Sequence, residues 1–240
     1  MILAVDAGNT RIKWGLWQER GFVAQGSVLT ARAADLADAL RMLPRPQLAI
    51  GSSVAGDHAK AQIEQALAPW GIALRWTSSQ VSECGVVSGY AEPGQLGSDR
   101  WAALVGAHAR RDGASVVASV GTAVTVDALT ADGRFLGGLI LPGPDLMAQA
   151  LAQGTAGLPQ QPGHFRPFPT GTADAIHSGA LQATCGAIER MHQAMLDAGH
   201  GEPRILLSGG GAQLVAPLLR RPATLAPSLV LEGLIEIARA

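Results

Sequence analysis

Near the start of the chain, an acidic residue and a short polar turn form the first group that could carry chemistry. Asp6 follows the apolar run at 2–5, and the turn residues 8–10 (Gly-Asn-Thr) come soon after it. Glycine lets the backbone approach a ligand closely, and successive N–H groups at such a turn can face an anion. A carboxylate would repel phosphate directly, so its useful role would be to hold Mg²⁺ that bridges to the phosphate. An ordinary hairpin turn is the alternative, because Asp, Asn and Gly also suit one.

Two further glycine-rich loops could approach an anionic ligand. Residues 121–123 (Gly-Thr-Ala) follow an apolar run, and residues 208–211 (Ser-Gly-Gly-Gly) follow another. Neither loop fits the P-loop or the dinucleotide-binding glycine fingerprint. Each loop alone is weak evidence because glycine-rich turns are common, but their joint occurrence favours phosphate binding. Lys13 is one of only two lysines in the chain and is the candidate for a lysine role in that chemistry.

A third kind of candidate lies at the start of an expected helix at 101–110. Ser98 is its expected N-cap, and Asp99 and Arg100 fall in its first turn. Aspartate suits a helix start, whereas arginine is unfavourable there because of the helix dipole. The pair could instead orient a hydroxyl group and grip an anionic substrate. Tyr90, the only tyrosine, precedes this helix and could either line a pocket or pack.

The elements that must position these residues occur in a repeated layout. A strand, a loop and a strand are expected at 2–16 and again at 115–129. This indicates a duplicated architecture, and chance similarity of two β-meanders is the alternative. The other expected strands are 21–28, 47–52, 135–141 and 204–207, and the expected helices are 32–43, 57–70, 101–110, 146–151, 172–198 and 227–239, with a loop at 153–169.

Length and composition predict a folded α/β protein of two domains. The chain has 240 residues, of which 48% are hydrophobic and only 15% are charged. That is enough apolar material for a large core and too little charge for an expanded chain. A polar break at 110–113 favours domains at 1–113 and 114–240.

Charge and hydropathy argue against several classes of partner. The net charge of −1 lacks the broad basic character of nucleic-acid-binding proteins. Asp6 interrupts any secretory signal, and no segment has eighteen strongly apolar residues in a row. Cys84 and Cys185 lack the spacing of a metal site or a disulfide framework. We therefore expect a cytoplasmic protein that binds neither nucleic acid nor membrane.

Taken together, these motifs resemble the type III pantothenate kinase family over essentially the whole chain. The resemblance implies an α/β fold of two ribonuclease H-like domains, with mixed β-sheets flanked by helices, as in the acetate and sugar kinase, Hsp70 and actin superfamily. In that superfamily the β-turn loops of the two domains clamp a nucleotide. The matching motifs are DAGNT at 6–10, Tyr90, GSDR at 97–100, GTAVT at 121–125, LPG at 141–143, TADAIHSG at 172–179, SGGG at 208–211 and LVLEGL at 229–234.

The resemblance also implies an activity, which is the ATP-dependent phosphorylation of pantothenate to 4'-phosphopantothenate, the first step of coenzyme A synthesis. Asp99 would be the base and Asp6 would hold Mg²⁺. The implied nucleotide-binding residues are Asp6, Ala7, Gly8, Asn9, Thr10, Arg11, Ile12, Lys13, Gly121, Thr122, Gly209 and Gly210. The implied pantothenate-binding residues are Tyr90, Gly97, Ser98, Asp99, Arg100 and Thr172, with Arg100 facing the carboxylate.

Two departures from the family pattern concern a cation and a loop. Many relatives have an aspartate that helps to bind a monovalent cation such as K⁺ or NH₄⁺ where this chain has Ser119. Cation dependence is therefore doubtful, although Ser119 could coordinate weakly, and Asp127 could assist or could simply face solvent at a strand end. Gly171 replaces a frequent asparagine before Thr172.

The resemblance implies a homodimer, since family members are dimers whose substrate pockets lie at the subunit interface. Two other functions are compatible with the same scaffold. One is phosphorylation of another small molecule, and the other is a non-catalytic regulatory role as a transcription accessory protein.

Overall fold

The chain divides into two units, each built around a five-stranded mixed sheet of the same strand order. The structure is a computed structural model and describes residues 1–155, 157–158 and 161–240. One unit, called unit 1 below, contains Met1–Arg111 and Ser228–Ala240, and unit 2 contains Asp112–Pro227. The strands are β1 (Ile2–Ala7), β2 (Arg11–Gln18), β3 (Gly21–Leu29), β4 (Leu48–Ser53), β5 (Leu74–Trp76), β6 (Ser82–Glu83), β7 (Val86–Val87), β8 (Ser115–Val120), β9 (Ala123–Leu129), β10 (Phe135–Pro142), β11 (Arg204–Ser208) and β12 (Ala223–Leu225). The α-helices are α1 (Asp35–Leu40), α2 (Gly56–Leu67), α3 (Ser98–Ala109), α4 (Pro144–Gly154), α5 (Thr172–Asp197), α6 (Ala212–Val215) and α7 (Leu229–Arg239).

The two sheets repeat one topology. Their orders are β3-β2-β1-β4-β5 in unit 1 and β10-β9-β8-β11-β12 in unit 2. In each sheet the first three strands form an antiparallel meander, and the last two run parallel to the central strand. This confirms the repeated layout expected from the sequence. Both units are therefore mixed β-sheets accompanied by helices, which is the α/β architecture expected from the sequence.

In both units the central strand is buried on both faces. In unit 1 the side chains of Leu3 and Val5 join a core cluster with residues of α1 and α2. Helix α7 packs against β1 and β4 of the same unit. In unit 2 the alternate residues of β8 and β9 pack against one face of α5 through Leu181 and Ile188. Hydrophobic residues at spacings of two in the strands and three or four in the helices therefore meet in each core.

Several boundaries differ from those expected. Of the expected helix at 32–43, only Asp35–Leu40 is α-helical, since two prolines follow closely at 44 and 46 and stop the chain from continuing it. Helix α4 extends into the expected loop at 153–169, of which residues 156, 159 and 160 lie outside the described residues. Strands β5 and β12 were not expected, because three residues are too few to show a periodic pattern.

The last helix belongs to unit 1, whereas the sequence-based division assigned it to the second domain with the rest of 114–240. Polar contacts with residues of unit 1 help to explain why this helix lies there. Arg110 Nη2 lies 2.7 Å from Glu232 Oε2, and Arg75 Nη2 donates to the Ile237 carbonyl at 2.9 Å. Within the described ranges, no helix has both the length and the apolar character needed to cross a membrane.

Two glycines let α3 and α7 approach each other closely. A Cβ added at Gly233 would overlap the carbonyl of Ala102, and one added at Gly106 would lie 3.0 Å from the Gly233 nitrogen. Both obstacles are backbone atoms, which cannot rotate away as a side chain can. The contact between the helices therefore requires small residues on both sides.

We expect Gly233→Ala to lower the free energy of unfolding by about 1–3 kcal/mol, because overpacking must separate α3 from α7. The matched control is Gly186→Ala, since Gly186 lies inside α5 with nothing within 4 Å of an added Cβ. Alanine there should raise the stability by about 0.5–1 kcal/mol. Urea unfolding followed by circular dichroism measures both effects. A Gly233→Ala protein as stable as wild type would contradict the packing argument.

Candidate functional site

The turn between β1 and β2 is held by hydrogen bonds from both of its sides. The Gly8 N–H donates to the Arg11 carbonyl at 3.0 Å. From the end of β3, the Thr30 N–H donates to the Thr10 carbonyl at 3.0 Å, and the Thr30 hydroxyl donates to the Gly8 carbonyl at 2.7 Å. Asn9 and Thr10 are exposed. The turn is thus a fixed structure whose tip is accessible to a ligand.

Asp6 lies in a row of polar residues across three strands. It is paired with Lys13 of β2 on one side and with Ser52 of β4 on the other. Residues paired in this way project from the same face of the sheet. The Ser52 hydroxyl donates to Asp6 Oδ1 at 2.9 Å. A cation, a carboxylate and a hydroxyl therefore stand side by side at the end of β1.

The environment of Asp6 disfavours its negative charge. Burial, followed by repulsion from Asp99, raises the pKa of Asp6 from 3.8 to about 6, and the hydrogen bond from Ser52 and the charge of Lys13 partly offset this rise. The carboxylate of Asp99 is thus one of the charges in unit 1 that act on Asp6. Oxygen ligands of this kind suit Mg²⁺, which binds through one or two carboxylates and completes its shell with phosphate and water oxygens. Asp6 therefore fits the magnesium role expected of it.

Helix α3 begins at Ser98, and the residue at its N-cap is Gly97. The expectation that Ser98 caps the helix was wrong, because its hydroxyl bonds elsewhere. Ser98 Oγ accepts from the Ser53 N–H at 3.2 Å and donates to the Ser53 carbonyl at 3.4 Å. Asp99 Oδ1 accepts from the Arg100 N–H at 2.8 Å. The first turn of α3 is thereby attached to the end of β4, with Asp99 held at the positive end of the helix.

Gly97 makes room for the Asp99 carboxylate. Its φ of −57° and ψ of 137° are open to any residue, so backbone strain does not require glycine there. A Cβ at Gly97 would lie 2.6 Å from Asp99 Oδ1. Glycine is therefore needed at this position for a steric reason, because a side chain there would collide with that of Asp99.

Arg100 and Tyr90 lie together, as their expected common role requires. The Arg100 side chain is buried, its Nη1 lies 3.2 Å from the Tyr90 hydroxyl, and its guanidinium carbon lies 5.8 Å from the centre of the ring. Arginine is unfavourable in the first turn of a helix because of the helix dipole, and the contact with Tyr90 accounts for its presence there.

In unit 2, the loops expected to approach a nucleotide lie against one another. The Gly121 N–H donates to the Ala123 carbonyl at 3.0 Å, and the Gly143 N–H donates to the Thr122 carbonyl at 2.8 Å. Gly209 has a φ of +88°, and a Cβ there would overlap the carbonyl of Val120. The glycines of the SGGG and LPG motifs therefore pack the β8–β9 turn closely. Gly121 and Thr122 remain exposed.

Ser119, one of the two residues considered for a monovalent cation, lies on a neutral row. Ser119 is paired with Thr125 of β9 and with Ser208 of β11. Asp127 is 1% exposed and lies within β9, so the expectation that it faces solvent at a strand end was wrong. Thr172 is the first residue of α5 and is exposed.

Sequence reasoning missed Ser52 and Ser53, which contact the Asp6 carboxylate and the Ser98 hydroxyl. The sequence did contain a signal that could have identified these two serines. Two polar residues end an apolar strand expected at 47–52, and the carboxyl ends of parallel strands meet at one edge of a sheet.

A charge-removing variant tests the environment of Asp6. Because the pKa in the folded state exceeds that in the unfolded chain, ionised Asp6 costs stability above pH 6, and the cost disappears as the pH falls towards 4. We expect apo Asp6→Asn to be more stable than wild type at pH 8 by up to about 3 kcal/mol. The gap should close between pH 6 and pH 4.

Scanning calorimetry in the presence of a chelator measures this gap. Asp57→Asn is the control, since it removes a fully exposed carboxylate from the first turn of α2 and should give no gain at pH 8. An Asp6→Asn protein that is less stable than wild type at pH 8 would contradict the conclusion that the charge of Asp6 destabilises the folded protein.

Comparison with known proteins agrees with this geometry. The family model described as type III pantothenate kinase matches residues 2–194. A type III pantothenate kinase of Aromatoleum aromaticum is 46% identical, covering 100% of this chain and 98% of the relative, and one of Acidovorax ebreus is 42% identical, covering 98% and 95%. A crystal structure from Campylobacter jejuni, of a protein placed in the Baf family of transcriptional activators, aligns with a TM-score of 0.61 at 18% identity over 99% of this chain and 97% of that one, which shows the fold alone. The chain belongs to the type III pantothenate kinase family.

Proposed function

We propose that this protein transfers the γ-phosphoryl group of ATP to the terminal hydroxyl of pantothenate, giving 4'-phosphopantothenate and ADP. One observation carries the proposal beyond family membership. In unit 1, the carboxylate of Asp6 on β1 and that of Asp99 at the mouth of α3 lie near enough to repel each other, with Lys13 beside Asp6. Phosphoryl transfer depends mainly on such an alignment of charges around the reacting oxygen and phosphorus.

Asp99 acts on the alcohol. Its carboxylate accepts a hydrogen bond from the substrate hydroxyl and orients that oxygen towards the γ-phosphorus. As the new O–P bond forms, the bond from the γ-phosphorus to the bridging oxygen of ADP breaks, and the hydroxyl proton passes to Asp99. Because the transition state is loose, an acceptor of ordinary basicity suffices if it is well placed.

Asp6 and Lys13 act on the phosphates. Asp6 would hold Mg²⁺, which would supply positive charge to the phosphate oxygens, and the Lys13 ammonium adds positive charge from the neighbouring strand. The backbone N–H groups of the turn from Ala7 to Ile12 belong to the proposed set of phosphate contacts. The nucleotide contacts carried over for Gly121, Thr122, Gly209 and Gly210 are part of the same proposal.

Arg100 and Tyr90 recognise the substrate. The guanidinium is the natural partner for the pantothenate carboxylate, and its contact with the Tyr90 hydroxyl helps to hold the planar fork in one orientation. Gly97 and Thr172 complete the proposed set of pantothenate contacts.

The cation requirement follows from the neutral row in unit 2. Ser119, Thr125 and Ser208 offer hydroxyl oxygens and no charge at the position where relatives use a carboxylate. We propose that K⁺ or NH₄⁺ is bound weakly, if needed, through Ser119 with Asp127 in support.

The remaining parts of the proposal are assembly and location. Large apolar side chains are exposed on β10, including Ile140 at 66%, and this supports burial in a homodimer. We also propose a cytoplasmic location. A purely regulatory protein on this scaffold is not favoured, since it would have no need for Asp6, Asp99 and Arg100 together.

One assay decides between the enzymatic candidates. Purified protein, ATP and Mg²⁺ are supplied with pantothenate or with a panel of other alcohols, each with and without K⁺. We expect phosphate transfer to pantothenate above all, with a small effect of K⁺. Transfer to another alcohol alone, or to none, would refute the proposed substrate.

Asp99→Asn tests the base. We expect turnover to fall by about 10²-fold or more, the scale of general-base catalysis, while ATP binding stays within twofold. Steady-state kinetics and calorimetric titration measure the two quantities. Asp57→Asn, at the first turn of α2, is the matched control and should keep normal turnover. Near-normal turnover of Asp99→Asn would refute the assignment.

Gly97→Ala tests the placement of Asp99. The added methyl would push away the carboxylate, which can rotate, so the fold should lose little stability. We expect turnover to fall by about 10-fold or more, because small displacements at a reacting group are costly, with a melting temperature close to that of wild type. Gly94→Ala, in the preceding loop with nothing within 4 Å of an added Cβ, is the control. Unchanged turnover in Gly97→Ala would contradict the steric argument.

A further inference from the structure

Of the two serines that end β4, one bonds to the Asp6 carboxylate and the other to Ser98, the residue before Asp99. Ser52 donates to Asp6 Oδ1, and the backbone of Ser53 bonds to the Ser98 hydroxyl next to Asp99. We propose that this strand end is a positioning element for the reaction, in which Ser52 orients Asp6 and Ser98 attaches the helix that carries Asp99. The inference rests on the proposed function.

The position of Ser52 indicates that its hydroxyl orients the Asp6 carboxylate. The residue is fully buried, and its paired position opposite Asp6 fixes the direction of its side chain. A buried hydroxyl that donates to one carboxylate oxygen selects one rotamer of that carboxylate. The other oxygen, Oδ2, is then presented in a constant direction, as a bridging cation requires.

The geometry of Ser98 gives a corresponding role at the helix. Helix α3 could slide or tilt relative to β4 by a fraction of an ångström without losing its own backbone hydrogen bonds. The two contacts between Ser98 Oγ and the backbone of Ser53 oppose such a movement at the turn that holds Asp99. Because Ser52 and Ser53 are adjacent, the spacing between the two carboxylates depends on one short segment of β4.

The proposal predicts that two serine substitutions have separable effects. Ser52→Ala should weaken the gain in affinity for a non-hydrolysable ATP analogue that Mg²⁺ provides, by about fivefold or more, and should leave the KM for pantothenate unchanged. Ser98→Ala should leave that gain unchanged and lower kcat by about fivefold or more. Ser98→Thr, which keeps the hydroxyl, should restore most of the kcat. A hydrogen-bonded positioning group has effects of this order.

Calorimetric titrations with and without Mg²⁺, together with steady-state kinetics, measure these quantities. The matched control is Ser115→Ala, since Ser115 is a buried serine at the start of β8 in unit 2, where its hydroxyl donates to the Gly113 carbonyl at 3.4 Å. It controls for the loss of a buried hydroxyl and should change neither parameter.

Two results would overturn the proposal. One is a Ser52→Ala protein with an unchanged magnesium-dependent gain. The other is a set in which Ser52→Ala, Ser98→Ala and Ser115→Ala lose kcat and affinity alike in proportion to lost stability, which would leave only a structural role. Failure of the proposed function is distinguishable, because the titration does not require turnover. A wild-type protein that binds the analogue with Mg²⁺ but phosphorylates no pantothenate would refute the function and still test Ser52.

Discussion

The site depends on the cost of keeping two carboxylates close together. Asp6 and Asp99 come from a strand and a helix, and their repulsion, added to burial, makes the negative charge of Asp6 unfavourable in the apo protein. A fold maintains such an arrangement only if other contacts hold it, and here the hydrogen bond from Ser52 and the neighbouring Lys13 do so. A divalent cation with its phosphate ligands would relieve the same repulsion. A cation bound beside Asp6 would therefore gain from the removal of this cost.

The duplicated topology shows how one framework can carry two kinds of site. The central strand of each unit ends in a glycine turn, and the residue two positions before that glycine is the middle member of a row across three strands. In unit 1 this row is Lys13, Asp6 and Ser52, and in unit 2 it is Thr125, Ser119 and Ser208. The backbone is common to both, whereas the charge is confined to one. The two units therefore differ in side-chain charge at equivalent positions of the backbone.

The sequence predicted the parts whose signals are local. The glycine turns, the repeated strand layout and the candidate acid at 99 were all visible, because turn residues and apolar alternation depend on nearby positions. Ser98 was misassigned as a cap because its partner, Ser53, is distant in the chain. Asp127 was placed in solvent because nothing local shows that a strand is covered on both faces. The sequence also did not show that the last helix packs in unit 1. Apolar spacing indicates that a helix has a buried face, but it does not indicate which sheet that face packs against.

The return of α7 to unit 1 has a consequence for how the polypeptide acquires its structure during synthesis. Unit 2 is continuous from Asp112 to Pro227, whereas unit 1 needs residues from both ends of the chain. The faces of β1, β4 and α3 that α7 covers stay uncovered until residues 228–240 have been synthesised. The segment made first is therefore completed last, which reverses the usual vectorial order in which amino-terminal domains mature on the ribosome.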